Sequence, residues 1–142
     1  MELKIQRFDE LTVNELYEIL SAREEIFTIE KGMVCRDVDG LDREALHCSL
    51  TDGENLLAYL RVLPSGESVK IGRVITLSHG KGHGRILFDS LFPALADMLG
   101  VKKITVHAQK DAVGFYKKMG FTVTSDEFIE AGVIHLAMEK DL

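Results

Sequence analysis

No apolar run in this 142-residue sequence approaches the roughly 20 residues that span a bilayer. The opening MELKIQRFDE carries charges throughout and lacks the apolar stretch of a secretory signal. A cytoplasmic protein is expected. Cysteine is scarce, with only Cys35 and Cys48, and outside a secretory setting both are expected as free thiols. They form no Cys-x-x-Cys pair, and no metal is expected. Lysine and arginine number 17 against 23 acids, a formal charge of −6, with the basic residues scattered. That disfavours a nucleic-acid partner, whose phosphates need a basic face. There is no internal repeat, low-complexity tract or visible linker, so residues 1–142 are expected to form one domain. At 46% apolar and 28% charged content it can bury a real core.

The patterning that is present alternates strands with helices. Leu3 to Phe8 reads as a strand with one buried face. Thr12-x-x-Glu15 is a capping box, and Leu16, Ile19, Leu20, Arg23, Ile26 and Phe27 continue at helical spacing. From Thr28 to Glu44 the periodicity is lost and acids gather (Glu30, Asp37, Asp39, Asp42, Glu44), which predicts a loop holding at most one short helix. Ala45 to Thr51, Leu56 to Leu63 and Val69 to Leu77 read as an antiparallel meander, turning at Asp52–Asn55 and Pro64–Glu67. A helix with Leu87, Leu91, Leu95 and Leu99 on one face closes at Gly100, with a kink or break expected at Pro93. Lys103 to Ala108 is a strand, Asp111 to Met119 a helix, and Phe121 to Thr124 and Ile134 to Glu139 the last two strands. The sum is a mixed α/β layer with helices packed on a central sheet.

The stretch Lys70 to Arg85 organises the rest. A β-branched strand runs into a turn with glycines at 80, 82 and 84 and then directly into a helix, with Lys81 and Arg85 alongside. Free N–H groups in a helix's first turn, approached without Cβ interference, suit a phosphate or pyrophosphate. Spacing excludes a Walker P-loop, because Gly82 rather than a hydroxyl follows Lys81, and Arg85 stands where a dinucleotide fingerprint needs its third glycine. A plain glycine-rich turn remains the bland alternative.

The element order, the segment His79-Gly80-Lys81-Gly82-His83-Gly84, and Ala108-Gln109-x6-Tyr116-x-x-x-Gly120-Phe121 together resemble the GNAT acetyltransferases. Phe27-x-x-Glu30, Asp39-x-x-Asp42 before His47, Ile71-Gly72-Arg73-Val74 and Gly132-Val133-Ile134-His135-x-x-Met138 are similar to the ElaA-like branch. Departures are Lys31 where glutamine is usual, His79 where arginine is common, and Ile134 where proline is usual. The resemblance implies a mostly antiparallel central sheet with helices on both faces and a splayed pair of central strands that admits acetyl-coenzyme A. Backbone groups of Val74, Ile75 and Thr76 would meet the pantetheine arm as an added strand. His79, Gly80, Lys81, Gly82, His83, Gly84 and Arg85 would hold the pyrophosphate.

The resemblance also makes Tyr116 the general acid that protonates the departing thiolate, beside the coenzyme. Read alone, Tyr116 is equally a core ring, sharing a helix face with Ala112 and Met119. The acceptor amine must shed a proton, and Glu30, Asp39, Asp42 and His47 are base candidates by family position. His47, His107 and His135 each read first as structural histidines, His47 being the best catalytic candidate of the three because it begins a strand close to the acids, and Arg61 and Arg73 read as charges paired with those acids or anchoring a substrate carboxylate. Two functions stand at this point: an N-acetyltransferase acting on a small-molecule or peptide amine, and a non-catalytic acyl-coenzyme A binding module. A purely structural protein is disfavoured. Family members often pair through late strands, so a homodimer fits.

Overall fold

The computed structural model describes residues 1–142. Strand β1 (Glu2–Arg7) leads to helix α1 (Val13–Arg23), whose N-cap Thr12 accepts from the Glu15 amide while the Glu15 carboxylate accepts from the Thr12 amide. The capping box seen in the sequence therefore forms. The helix continues as a π-helical segment, Glu24–Glu30, before the chain becomes irregular. Strands β2 (Leu46–Asp52), β3 (Asn55–Ser65) and β4 (Ser68–Thr76) make the expected meander, preceded by a single 3-10 turn at Asp42–Glu44. Helix α2 (His83–Leu99), β5 (Lys103–Gln109), α3 (Val113–Lys118), β6 (Thr122–Val123), β7 (Phe128–Glu130) and β8 (Val133–Asp141) complete the chain.

The eight strands form one sheet in the order β1, β2, β3, β4, β5, β8, β6, with β7 also paired to β8. Every pairing is antiparallel except β4 with β5. That parallel ladder is short, running only from Ser68 opposite Lys103 to Ile71 opposite Val106. Beyond it the two strands part, and they are the splayed central pair expected above. The sequence had not indicated β7. It is three residues long and without alternation, folded onto β8 by a turn in which both Ala131 (φ 53°) and Gly132 (φ 76°) are left-handed.

Helices cover both faces. On one, α1 and the π segment bury Ile19, Ile26 and Phe27 against Tyr59 and Ile75. On the other, α2 and α3 pack over the larger core, where Phe88 meets the rings of Phe92, Phe115, Tyr116 and Phe121 at centroid distances of 5.7 to 6.4 Å. Such edge-to-face rings add directional packing to the burial itself. Helix α2 runs unbroken through Pro93, contrary to the expected break. Proline deprives the Asp89 carbonyl of its partner, but Asp89 and Pro93 both lie on the exposed side, where water satisfies that group. No helix is long and apolar enough to cross a membrane.

Candidate functional site

The parting of β4 and β5 opens a cleft of about 850 Å³. Its geometry begins with a bulge in β4. Arg61 pairs with Gly72 and Tyr59 with Ile75, so Arg73 and Val74 together face the single residue Leu60. Arg73 accordingly sits at φ 54°, a conformation few non-glycine residues adopt. Beyond the bulge, Val74, Ile75 and Thr76 line the cleft, followed by Gly80, Gly82, His83, Gly84 and Arg85 of the loop and helix start. Gly80 (φ 75°) and Gly82 (φ 72°) are left-handed, and Gly82 caps α2 without any side-chain cap. Since the first intrahelical bond is Ile86 N–H to the Gly82 carbonyl, the amides of residues 83–85 keep their donors free for an anion.

Gly84 serves another purpose than the loop glycines. It is buried and not left-handed, and a Cβ there would meet the Phe115 ring and the Thr76 methyl at 3.4 Å. That is the edge of ordinary contact, so a methyl just fits and only a larger side chain would press α2 away from α3 and β4. His83 is also buried, with an Nδ1 that has no hydrogen-bond partner. His79 and Lys81 stand outside the cleft lining as exposed residues, and the His79 imidazole faces Glu30, 3.6 Å away.

Tyr116 lines the cleft from α3, held by edge-on Phe115, Phe88 and Phe121 at 5.3, 5.9 and 5.5 Å. Burial alone pushes its phenol well above the ordinary value, with no hydrogen bond contributing. The proton therefore stays on the oxygen across the physiological range. The ring is thus a core residue, as one reading of the sequence had it, and it also lines the cleft.

The base candidates fare differently. His47 is fully buried beneath the sheet and takes no part in the cleft. Its Nδ1 lies 2.8 Å from the Tyr59 hydroxyl and its Nε2 2.8 Å from the Asp42 carbonyl, so both nitrogens are engaged. Burial pushes its pKa down. The structure makes it an internal brace, which corrects the reading of His47 as a catalytic base. Glu30 likewise lies outside the cleft lining, against His79.

The three aspartates of the irregular segment, Asp37, Asp39 and Asp42, are neutralised by three arginines. Arg23, with no exposed surface, pairs with Asp37 (3.0 Å) and Asp42 (2.8 Å). Arg61 joins Asp39 to Asp42, and Arg73 reaches Asp37 (2.8 Å) and Asp39 (3.2 Å). The Arg61 hydrogen bonds hold the Asp39 carboxyl far below its ordinary range. Burial would raise Asp42, but the guanidinium groups of Arg23 and Arg61 outweigh it and keep Asp42 low. Neither carboxylate is disposed to take a proton. Their work is to tie the 31–42 segment across the cleft, aided by Lys31 Nζ donating to Gln109 Oε1 at 3.0 Å.

What the sequence reading set aside, the structure brings together. Lys70, His107, Glu130 and His135 all line the cleft. Glu130 Oε1 is 3.0 Å from His107 Nδ1, Glu130 Oε2 is 3.8 Å from His135 Nε2, and Lys70 Nζ is 3.3 Å from His107 Nδ1. Burial would raise Glu130, but the hydrogen bond and charge of His107 bring it below its ordinary value. The signal available earlier was the period-two phase of β5, which puts His107 on the face opposite buried Val106 and Ala108.

Comparison with known proteins agrees with this geometry. A model of the acetyltransferase (GNAT) domain matches residues 30–142. YjcF of Bacillus subtilis, an uncharacterised N-acetyltransferase, is 36% identical over 89% of this chain and 93% of its own. Among solved structures, an acyl-CoA N-acyltransferase from Pseudomonas aeruginosa superimposes with a TM-score of 0.89 at 28% identity, covering 99% of both chains. Escherichia coli ElaA does so with a TM-score of 0.88, again at 28% identity, covering 98% of both chains. From the β4 bulge to the glycine loop ahead of α2, this chain belongs to the GNAT acetyltransferase family and is similar to ElaA within it.

Proposed function

We propose that the protein moves an acetyl group from acetyl-coenzyme A to a primary amine of a small molecule or peptide by direct attack. The observation that carries this reading is the parting of β4 from β5 immediately after Ile71 and Val106, beside the Arg73–Val74 bulge. The parted strand edge leads to the free amides of residues 83–85, which supports a pantetheine arm along β4 and its pyrophosphate at the start of α2. Backbone groups of Val74 to Thr76 hold the arm as an added strand would. The amides of the α2 start, with Arg85 beside them, hold the pyrophosphate. When bound, the coenzyme supplies an acyl thioester, already activated toward amines.

Tyr116 keeps its proton until the leaving thiolate needs one, and the burial that raises its pKa also keeps competing water away. The π segment and the 31–42 segment, tied down by Arg23, Arg61 and Arg73, form the acceptor side of the cleft.

Release of free thiol from acetyl-coenzyme A tests the reading across polyamines, amino acids, aminosugars and peptides. Turnover that depends on an amine is expected. Coenzyme binding in calorimetry without turnover on any amine would favour a non-catalytic binding module instead.

A further inference from the structure

The Proposed function leaves open where the acceptor's proton goes, and the base candidates suggested by the sequence lie outside the cleft or are locked in ion pairs. We propose that His107 is the proton acceptor of the acceptor amine, with Glu130 as the positioning residue that sets its tautomer. This inference rests on the transferase reading.

Placement comes first. His107 follows Val106, the last residue of β5 paired to β4, so it stands where the two strands begin to part and lines the resulting cleft. Its ring is fixed rather than free. Phe128 of β7 packs edge-on at 5.1 Å, and Glu130 Oε1 lies 3.0 Å from Nδ1.

Protonation follows from the partners. A carboxylate only accepts, so the Nδ1 facing Glu130 carries the hydrogen, and Nε2 is left with its lone pair. Lys70 Nζ, a donor 3.3 Å from the same Nδ1, favours the opposite tautomer, but its contact is the longer and the carboxylate stabilises the imidazolium that proton uptake creates. His135 donates its own Nδ1–H to the Val133 carbonyl at 2.8 Å, so its Nε2 has no hydrogen to give Glu130 unless it is charged. Glu130 is therefore not held by a hydrogen bond from neutral His135 and is left to orient His107.

The acceptor ammonium gives one proton to His107 Nε2, which passes it to solvent. The freed nitrogen lone pair forms the new C–N bond at the thioester carbon, and the C–S bond breaks as Tyr116 protonates sulfur. The second proton shed by nitrogen restores the Tyr116 phenol.

Three groups face the His107 ring: Glu130 from β7, Lys70 from β4 and, through Glu130, His135 from β8. An acidic limb of kcat/KM is therefore assigned to the cluster and not to one ring. The experiment is a pH profile of the purified protein with whichever amine it acetylates. His107→Ala should lower kcat/KM at least about 100-fold and remove the acidic limb, with partial rescue by added imidazole. Glu130→Gln should move the limb to lower pH, because the imidazolium loses its anion. Lys70→Met should move it to higher pH. Nitrogen-15 correlation spectra of the free protein give a readout without turnover and should place the His107 hydrogen on Nδ1. A hydrogen on Nε2, or His107→Ala with wild-type kcat/KM and an intact limb, overturns the assignment. Absence of turnover by the wild-type protein on every amine overturns the transferase reading and this role together, whereas turnover with an indifferent His107 overturns this role alone.

Discussion

Arg23 Nη1 lies 2.8 Å from Asp42 Oδ1 with the arginine wholly enclosed, and the same carboxylate oxygen accepts from Arg61 at 3.0 Å. One aspartate thus holds two buried guanidinium groups. Asp42→Ala should leave Arg23 to Asp37 and Arg61 to Asp39, each short of one buried charged partner, and cost about 1.5–3 kcal/mol. Chemical denaturation monitored by circular dichroism measures it. A loss below 1 kcal/mol, the size of an exposed pair, would mean the network carries little of the fold.

Acid should act in two stages. His47 has its folded pKa depressed by burial, so the folded state binds fewer protons there than the unfolded one. Its contribution is full above the unfolded value of about 6.5 and lost as pH falls below it. Asp39 and Asp42 are also depressed, and their contribution starts to fall near the unfolded value of about 3.9 and is lost toward lower pH. Stability against urea should therefore decline gently below about pH 6.5 and steeply below about pH 4. A profile flat down to pH 4 would contradict the burial of neutral His47.

Gly82 and Gly84 should fail in different ways. A Cβ at Gly82 meets no atom within 4 Å but must sit at φ 72°, so Gly82→Ala strains the loop by about 1–2 kcal/mol and shifts the amides proposed to hold the pyrophosphate. Coenzyme affinity should fall by about tenfold or more, 1.4 kcal/mol, with the fold kept. Gly84→Val instead pushes methyl groups into Phe115 and Thr76 and should cost about 1–3 kcal/mol of stability. Calorimetry and thermal melts on both variants separate the two effects.

The two thiols should report on the cleft. Cys48 is fully buried, and burial pushes its thiol up to about 12, whereas Cys35 is exposed and lines the cleft. A disulfide reagent should titrate one thiol in the native protein and two after unfolding. Bound coenzyme should slow the reaction of Cys35. Equal reactivity of both thiols in the native state would contradict the burial of β2.

Much of the architecture was legible because it obeys local rules. The Thr12–Glu15 box, the three-stranded meander and the strand, glycine turn and helix at Lys70 to Arg85 all announce themselves through elements adjacent in the chain. The site was less legible, for a reason of distance. His107, Glu130 and His135 come from three strands, and only the register of β8 against both β5 and β7 joins them, with Gln109 opposite His135 and Phe128 opposite the same residue. Strand β7 itself is too short to show a period. His47 looked attractive because it follows the acids in sequence, but β2 turns its ring under the sheet, and the acids close onto Arg23, Arg61 and Arg73. Arg61 and Arg73 do what charges in apolar strands most often do, which is pair.

Acetyl transfer to an amine is read from the mass of the product. The protein is incubated with acetyl-coenzyme A and each amine of the panel, alongside Tyr116→Phe. One acetyl group on the amine nitrogen is expected for each thiol released by the wild-type protein. With Tyr116→Phe the rate should fall about 100-fold while coenzyme affinity stays near wild type. Amines recovered unmodified from a protein that binds the coenzyme would contradict acetyl transfer.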